Sequence, residues 1–298
     1  MGSTSPRAIK GAELVIWHEL NDPQDPALDE LAKRYNLHPL HVEDVRHGRQ
    51  RAKVEEGADY IFVVLKPVQA DKDGDLTIAD LELFLGRDYL ITIANGPCAV
   101  LEEVRKRGEE QRSDQLFYKI FDALVDAYLP IIDSYGDSID EIEDLVLAKP
   151  DPVTLQRIFN AKRSLIGLRR VLANTRDIAG HLQRTETELI QKDLWPFLRD
   201  VYDHLARNLD MVETQRDLLS GAMDIYLSSV ANRTNQVMKV LTVLGTVALP
   251  SIVISGFFGM NTKDLPWIQT PHGTWYAVGL MAASTGILLF ILKKFDWW

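Results

Sequence analysis

The sequence predicts an α/β N-terminal domain, then one very long helix, then a second, apolar C-terminal helix, giving two membrane spans per chain. Three observations predict it. Strand-like and helical runs alternate over residues 1–110. From about Ser113 apolar residues recur at three-to-four spacing with short breaks, the pattern of long antiparallel helices. Two uncharged or nearly uncharged stretches close the chain.

The strand signals are "AELVIWHEL", "YIFVVLKPV", "LTIADLELFLG" and "YLITIAN". "DKDGD" (Asp71–Asp75) is a turn between two of them. "PALDELAKRYNL" is an amphipathic helix with acids early and bases late, which suits the helix dipole. "DQLFYKIFDALVDAYLPIIDSYGDSIDEIEDLVLAK" keeps helical spacing for more than thirty positions, and "KPDPVTLQRIFNAKRSLIGLRRVLANTRDIAGHL" repeats it after a proline-containing break. The acids of "DSIDEIED" read as a solvated face, with a cation-attracting surface as the sharper alternative.

A third long helix begins at "DLWPFLRD", where Pro196 fits a first turn. The next proline is Pro250. An unbroken helix from Pro196 to Phe258 has 63 residues and a length of about 95 Å at ~1.5 Å per residue, over three bilayer cores. It must be a stalk that continues into a membrane. The expected divisions are a cytoplasmic domain at 1–195, a stalk at 196–236, a first span at 237–258, an external loop at 259–275, a second span at 276–292 and a tail at 293–298.

The first span, Val237–Phe258, has one charge, Lys239, near its start. The second, Tyr276–Leu292, has none and is flanked by Trp275 and Tyr276 at one end and Lys293, Lys294 and Trp297 at the other. Aromatic and basic residues belong at membrane interfaces. Arg233 and Lys239 before the first span, and Lys293 and Lys294 after the second, outweigh the single Lys263 of the loop. The positive-inside rule then puts both termini in the cytoplasm. The first twenty residues lack an apolar core of secretory-signal length, and "MGSTS" reads as an incidental rather than a myristoylated start.

The formal net charge is −10. After Gln236 four lysines face two aspartates, so the preceding part carries −12. Such a domain disfavours nucleic acid and favours cations. The single cysteine, Cys98, excludes an intramolecular disulfide and a thiolate zinc cluster. His38, His41 and His47 invite a zinc reading, but without nearby cysteine they read as structural. No nucleophile elbow, phosphate loop or HExxH pattern is present, so the chain does not read as an enzyme.

Two helices cannot enclose an aqueous path, so a pore from this chain needs several copies around one axis. At ~100° per residue, Asn235, Met238, Leu241, Gly245, Leu249 and Ile252 share an arc of roughly 120°. Rings of Met and Leu there make a narrow constriction that gates by dewetting. Other apolar arcs exist on the same helix, so phase alone leaves the lining face open.

The stretch "YLSSVANRTNQVMKVLTVLGTVALPSIVISGFFGMN" resembles the signature region of the CorA family of magnesium channels, with its aromatic-Gly-Met-Asn tetrapeptide at Phe258, Gly259, Met260 and Asn261. "RDVYDHL", "LPIIDSYGDSIDEIE", "HPLHVEDV" and "VLKPV" are also similar to family sequences, so the resemblance covers nearly the whole chain. It implies a homopentamer in the cytoplasmic (inner) membrane, with a cytoplasmic α/β funnel domain, a pore lined by the first span and the second span packed outside. It implies transport of hydrated Mg2+, with Co2+ and Ni2+ as lesser substrates. It implies that Asn235, Met238, Leu241, Gly245 and Leu249 line the pore, and that Ile252 stands where some members have threonine. It implies that Gly259, Met260 and Asn261 form the outer selectivity site, with Asn261 as the working side chain and Met260 a packing residue. It also implies closure by cytoplasmic Mg2+ held between protomers; Asp200 matches one ligand, and Asp71 is the best match for its partner, with Asp73 and Asp75 nearby. The alternative is a zinc transporter of the ZntB type, whose usual outer motif has Ile or Val where Met260 stands.

Overall fold

The computed structural model describes residues 15–48, 50–71, 76–107, 112–148, 151–185, 187–260 and 271–295. Contacts divide the chain into two units, 1–224 and 225–298.

The first unit is built on a five-stranded sheet. Its strands are β1 (Ile16–Leu20), β2 (Lys53–Glu56), β3 (Tyr60–Leu65), β6 (Leu81–Gly86) and β7 (Tyr89–Ala94), in the order β1-β7-β6-β3-β2. β1 runs parallel to β7 and the other neighbours are antiparallel. β4 (Val68–Ala70) and β5 (Leu76–Ile78) form a separate two-stranded ribbon. Every residue of β3, β6 and β7 is buried, as continuous apolar runs require when both sheet faces are covered.

Alternation assigns the faces. Tyr60, Phe62, Val64, Phe84, Ile91 and Ile93 pack with Leu28 and Leu31 of α1 (Ala27–Arg34) and Val45 of α2 (Pro39–His47). The opposite face, with Leu83, Leu85 and Leu90, meets α4 (Ser113–Asp126), which buries Leu116, Phe117, Ile120, Phe121 and Leu124. α3 (Ala99–Arg107) packs beside α4. The result is a three-layer α/β/α arrangement. At the β6–β7 turn the Tyr89 ring lies directly over Gly86, where any Cβ would collide with it. Tyr89 in turn stacks on Tyr35, with ring centroids 3.8 Å apart.

Two features break the apolar pattern. Glu82 points to the same face as Phe84, is 1% exposed, and neither carboxyl oxygen has a hydrogen-bond partner. Burial, and secondarily Asp80, pushes its pKa up to about 8, so it is held as the neutral acid at pH 7. Asp80 itself pairs with Lys66. His41 is also buried, and it stacks on Phe62 at 4.7 Å. Its Nδ1 meets the Tyr60 hydroxyl at 2.8 Å and its Nε2 meets Glu55 at 2.9 Å. His38 caps α2 by accepting from the Leu40 amide. These histidines are engaged in structural hydrogen bonds.

The long helical run from residue 114 is two helices. α4 ends at Asp126 and α5 (Tyr128–Ala148) begins two residues before Pro130. Proline has no N–H to donate to a preceding turn, so it belongs near a helix start. α6 (Pro152–Arg184) follows, with Asp151 capping its first turn by accepting from the Thr154 amide at 2.7 Å.

α7 runs without interruption from Trp195 to Phe258, 64 residues, through Pro250. Within the first unit it buries Leu198, Val201, Leu205, Val212 and Leu219. Gln215 donates to the Ile132 carbonyl of α5 at 2.7 Å, and Glu213 pairs with Arg169 of α6 at 2.9 Å. α8 (Gly273–Lys294) completes the second unit.

Candidate ion path and cation site

Among the described residues two helices are long and apolar enough to cross a membrane: the one ending at Phe258 and Gly273–Lys294. Along the distal part of α7 the half-buried residues are Val243, Thr246, Val247, Pro250, Ser251, Ile254 and Phe258. They recur at three-to-four spacing and form one face. α8 has a matching stripe, with Gly273 and Ala277 buried and Met281, Ser284, Leu288 and Leu292 half-buried. Small residues at such a seam let two helix backbones approach closely.

The candidate lining residues lie on the other side of α7. Asn235 and Gly245 are exposed in the single chain, and Met238, Leu241, Leu249 and Ile252 are 56%, 58%, 61% and 69% exposed. By helical phase this face is centred about 180° from the half-buried one. A shallow cleft of about 450 Å³, lined by Thr242, Gly245, Thr246, Leu249, Pro250 and Leu288, opens on its flank. Pro250 cannot donate back to Thr246, so that carbonyl loses its usual helical partner at mid-span.

The helix closes at the candidate selectivity site. The Gly259 amide donates to the Ser255 carbonyl at 2.9 Å and the Met260 amide to Phe257 at 3.3 Å. A Cβ at Gly259 would stand 3.0 Å from the Ser255 carbonyl oxygen, so this tight finish favours glycine. Met260 is 53% exposed. Asn261 lies outside the described residues.

Asp200 occupies the second turn of α7 and is exposed. His204, one turn on, brings Nε2 to 3.6 Å from its carboxylate. Facing it is α4, which contributes Tyr118, Asp122 and Asp126. The Tyr118 ring packs on Phe197 of α7 with centroids 5.4 Å apart, and its hydroxyl bonds Asp122. Burial raises the pKa of Asp122, and the charges of Asp126 and Asp200 raise it further. Burial also pushes the Tyr118 hydroxyl up to about 12, with Asp122 and Asp200 adding to it. Burial, more than its negative neighbours, holds the Asp122 carboxyl against ionisation, and a cation nearby would favour its charged form.

Asp122 and Asp126 were not singled out in the sequence. Their only signal is a pair of acids four apart inside the apolar run "IFDALVDAY". Asp71 stands elsewhere, exposed just past β4, and Asp73 and Asp75 lie outside the described residues. Among the described residues no three His, Cys, Asp or Glu side chains converge as a ready-made metal centre within one chain.

Comparison with known proteins bears on both regions. The family model for CorA-like Mg2+ transporter proteins matches residues 13–294. The cobalt/magnesium transport protein CorA of Thermotoga maritima is 36% identical over 271 residues, 88% of this chain and 77% of the relative. The complete structure of the CorA magnesium transporter from Methanocaldococcus jannaschii superposes with a TM-score of 0.85 at 25% identity, covering 95% of this chain and 92% of the other. The cytoplasmic domain of ZntB from Vibrio parahaemolyticus shares the fold, with a TM-score of 0.61 at 16% identity over 77% of this chain and 96% of the other.

Proposed function

The chain belongs to the CorA-like Mg2+ transporter family, and from that premise we propose that it forms a homopentameric channel for hydrated Mg2+ in the cytoplasmic membrane. The family makes it an integral membrane transporter of divalent cations, not an enzyme. Co2+ is a second substrate, in keeping with the cobalt/magnesium relative, and Ni2+ a lesser one.

The observation that carries this reading is the exposed face of α7, opposite the face that packs toward α8 and ending at the Gly259 turn. Repeated around an axis, Met238, Leu241, Leu249 and Ile252 make a dry constriction, and Gly245 a wider step within it. Asn235 sets an amide ring at the cytoplasmic end and Asn261 one at the outer mouth. Mg2+ dehydrates reluctantly. An amide ring accepts hydrogen bonds from the first-shell waters and selects the hydrated ion without a charge that traps it. Gly259 releases the backbone so that Asn261 reaches the axis, and Met260 packs. Both termini are cytoplasmic, from the placement of Arg233, Lys239, Lys293 and Lys294.

Closure follows from electrostatics. Asp200 and Asp71 of neighbouring protomers repel unless a divalent cation bridges them, and Asp122 adds its charge on the Asp200 side. Cytoplasmic Mg2+ thereby stabilises the closed, symmetric state.

Metal-dependent flux in proteoliposomes tests the reading. Mg2+ uptake blocked by hexammine cobalt is expected. Uptake of Zn2+ that Mg2+ and hexammine cobalt leave unblocked would establish the ZntB-type alternative instead, against which Met260 argues.

A further inference from the structure

The α5–α6 hairpin carries two charged stripes that find no ion-pair partner among the described residues. On α5, Asp133, Asp137, Asp140 and Asp144 are all exposed and follow i, i+4, i+7, i+11 spacing, which puts them on one face. Leu129 and Leu147, 43% and 69% exposed, close the two ends of the same stripe. On α6, Phe159, Arg163, Ile166 and Arg170 are exposed with the same spacing, and Phe159 and Ile166 are 51% and 44% exposed. Among the described residues none of the four aspartates, and neither Arg163 nor Arg170, makes an ion pair.

Several of the hairpin's other polar and charged side chains are engaged. Glu141 holds Arg157 at 2.9 Å, Arg169 holds Glu213 at 2.9 Å, and Lys162 reaches Ser220 at 3.3 Å. These contacts use different sides of α5 and α6 from the stripes, tying the helices to each other and to α7. The stripes are what remains after the intrachain packing is complete.

We propose that the Arg163–Arg170 stripe of α6 is the docking surface for the acidic α5 stripe of a second copy of this chain. This inference rests on the homo-oligomer proposed above. The charges are complementary and the registers match. Arg163 and Arg170 are seven residues apart, as are Asp133 and Asp140, and Asp137 and Asp144, two helical turns or about 10.5 Å. Two arginines therefore meet two aspartates at once, with Ile166 and Phe159 filling the space between and beside them. Arginine suits such a site because its fork binds carboxylates bidentately and its stem covers apolar surface. Different surfaces meet in this contact, so it is heterologous and propagates around a ring, as a closed oligomer requires.

The test uses the full-length chain in a Cys98→Ser background. Chains with Asp140→Cys and chains with Ile166→Cys, separately tagged and co-expressed, are treated with a short bismaleimide. A cross-linked dimer carrying both tags is expected, and only in the mixture. Reversal at Arg163→Glu and Arg170→Glu is expected to weaken assembly roughly tenfold. Adding Asp137→Lys and Asp144→Lys restores it. An oligomer by light scattering with no mixed cross-link, or combined reversals whose losses simply add, overturns the docking surface alone. A monomer overturns the homo-oligomer as well. Reversal at Arg163 and Arg170 that lowers binding to anionic vesicles and leaves assembly intact assigns the stripe to lipid headgroups and likewise overturns the proposal.

Discussion

Asp200 on α7 lies close enough to Asp122 on α4 for its charge to raise the pKa of Asp122, over and above the larger effect of burial and the charge of Asp126. Two carboxylates from different helices thus feel each other's charge, with His204 partly offsetting it. A divalent cation relieves that repulsion, and a proton competes with it. We expect Asp200→Lys to remove Mg2+-dependent protection from proteolysis, and Asp122→Asn to raise the Mg2+ needed for it by roughly tenfold, about 1.4 kcal/mol. Protection of the native protein should weaken as pH falls, because protonated Asp122 contributes no charge. Mg2+ titrations of both variants that overlay the native curve would remove these residues from the sensing site.

Glu82 makes a second, independent pH response. Its folded pKa is raised from 4.5 to about 8, so the folded state holds a proton that the unfolded chain releases earlier. Its favourable contribution is complete at low pH. Stability then falls by ~1.4 kcal/mol per pH unit between the two values and levels off above about 8. Glu82→Met keeps the volume and removes the acid. We expect this variant to show a flatter stability profile over that window and to exceed the native protein at pH 8. Urea denaturation of the soluble unit across the range measures it, and parallel profiles would show that Glu82 is not the group responsible.

The sequence shows the sheet clearly where both faces are covered. The runs that become β3, β6 and β7 are short, apolar and bounded by turn residues, which is what full burial demands. The length of α7 was also legible, because no proline interrupts it before Pro250. The break between α4 and α5 was not. Helical spacing passes through Ala127 undisturbed, and only the position of Pro130 marks a new start. Asp122 was hidden for another reason. An acid at a half-buried helix position looks like any amphipathic boundary residue until α7 brings Asp200 beside it. The buried Glu82 likewise sits in "LELFLG", where alternation suggests a solvated face that α1 and α2 in fact cover. Local pattern reports which residues form an element, but not which charges a distant element will bring against them.

The Tyr60 hydroxyl joins three parts of the domain. It accepts from the His38 amide at 2.8 Å and meets His41 Nδ1 at 2.8 Å, while His41 Nε2 faces Glu55. With the proton on Nε2 toward the carboxylate, Nδ1 accepts from the tyrosine, and the neutral imidazole is fully satisfied. Burial lowers the pKa of His41 below 6.5 despite the opposing pull of Glu55. The unfolded chain therefore protonates first, and stability is lost as pH falls below 6.5 and through the folded value. Tyr60→Phe leaves the His38 amide and Nδ1 without partners, at a cost of about 1–3 kcal/mol. Thermal melts between pH 5 and 8 should show this loss, and a variant as stable as the native domain would show that the hydroxyl is dispensable.

Beyond the end of α7, one side chain of the Gly-Met-Asn motif can be tested alone. The helix ends at Gly259, its last amides bonded to Ser255 and Phe257, and Met260 follows with its side chain exposed. The backbone carbonyls of Gly259 and Met260 can accept from the water shell of Mg2+, whereas the Met260 thioether is unsuited to it, since sulfur prefers softer metals. Asn261 supplies the motif's one polar side chain, and the proposed selection is tested there. Asn261→Ala is expected to abolish Mg2+ uptake into proteoliposomes while the oligomer still assembles. Asn261→Asp offers acceptors but adds a charge at every position of the ring. It should bind the ion more tightly and pass it more slowly, because conduction needs a site that the ion can leave. Native flux from Asn261→Ala, with light scattering confirming the same oligomer, would move selection away from this residue and toward the proposed constriction at Met238 and Leu241.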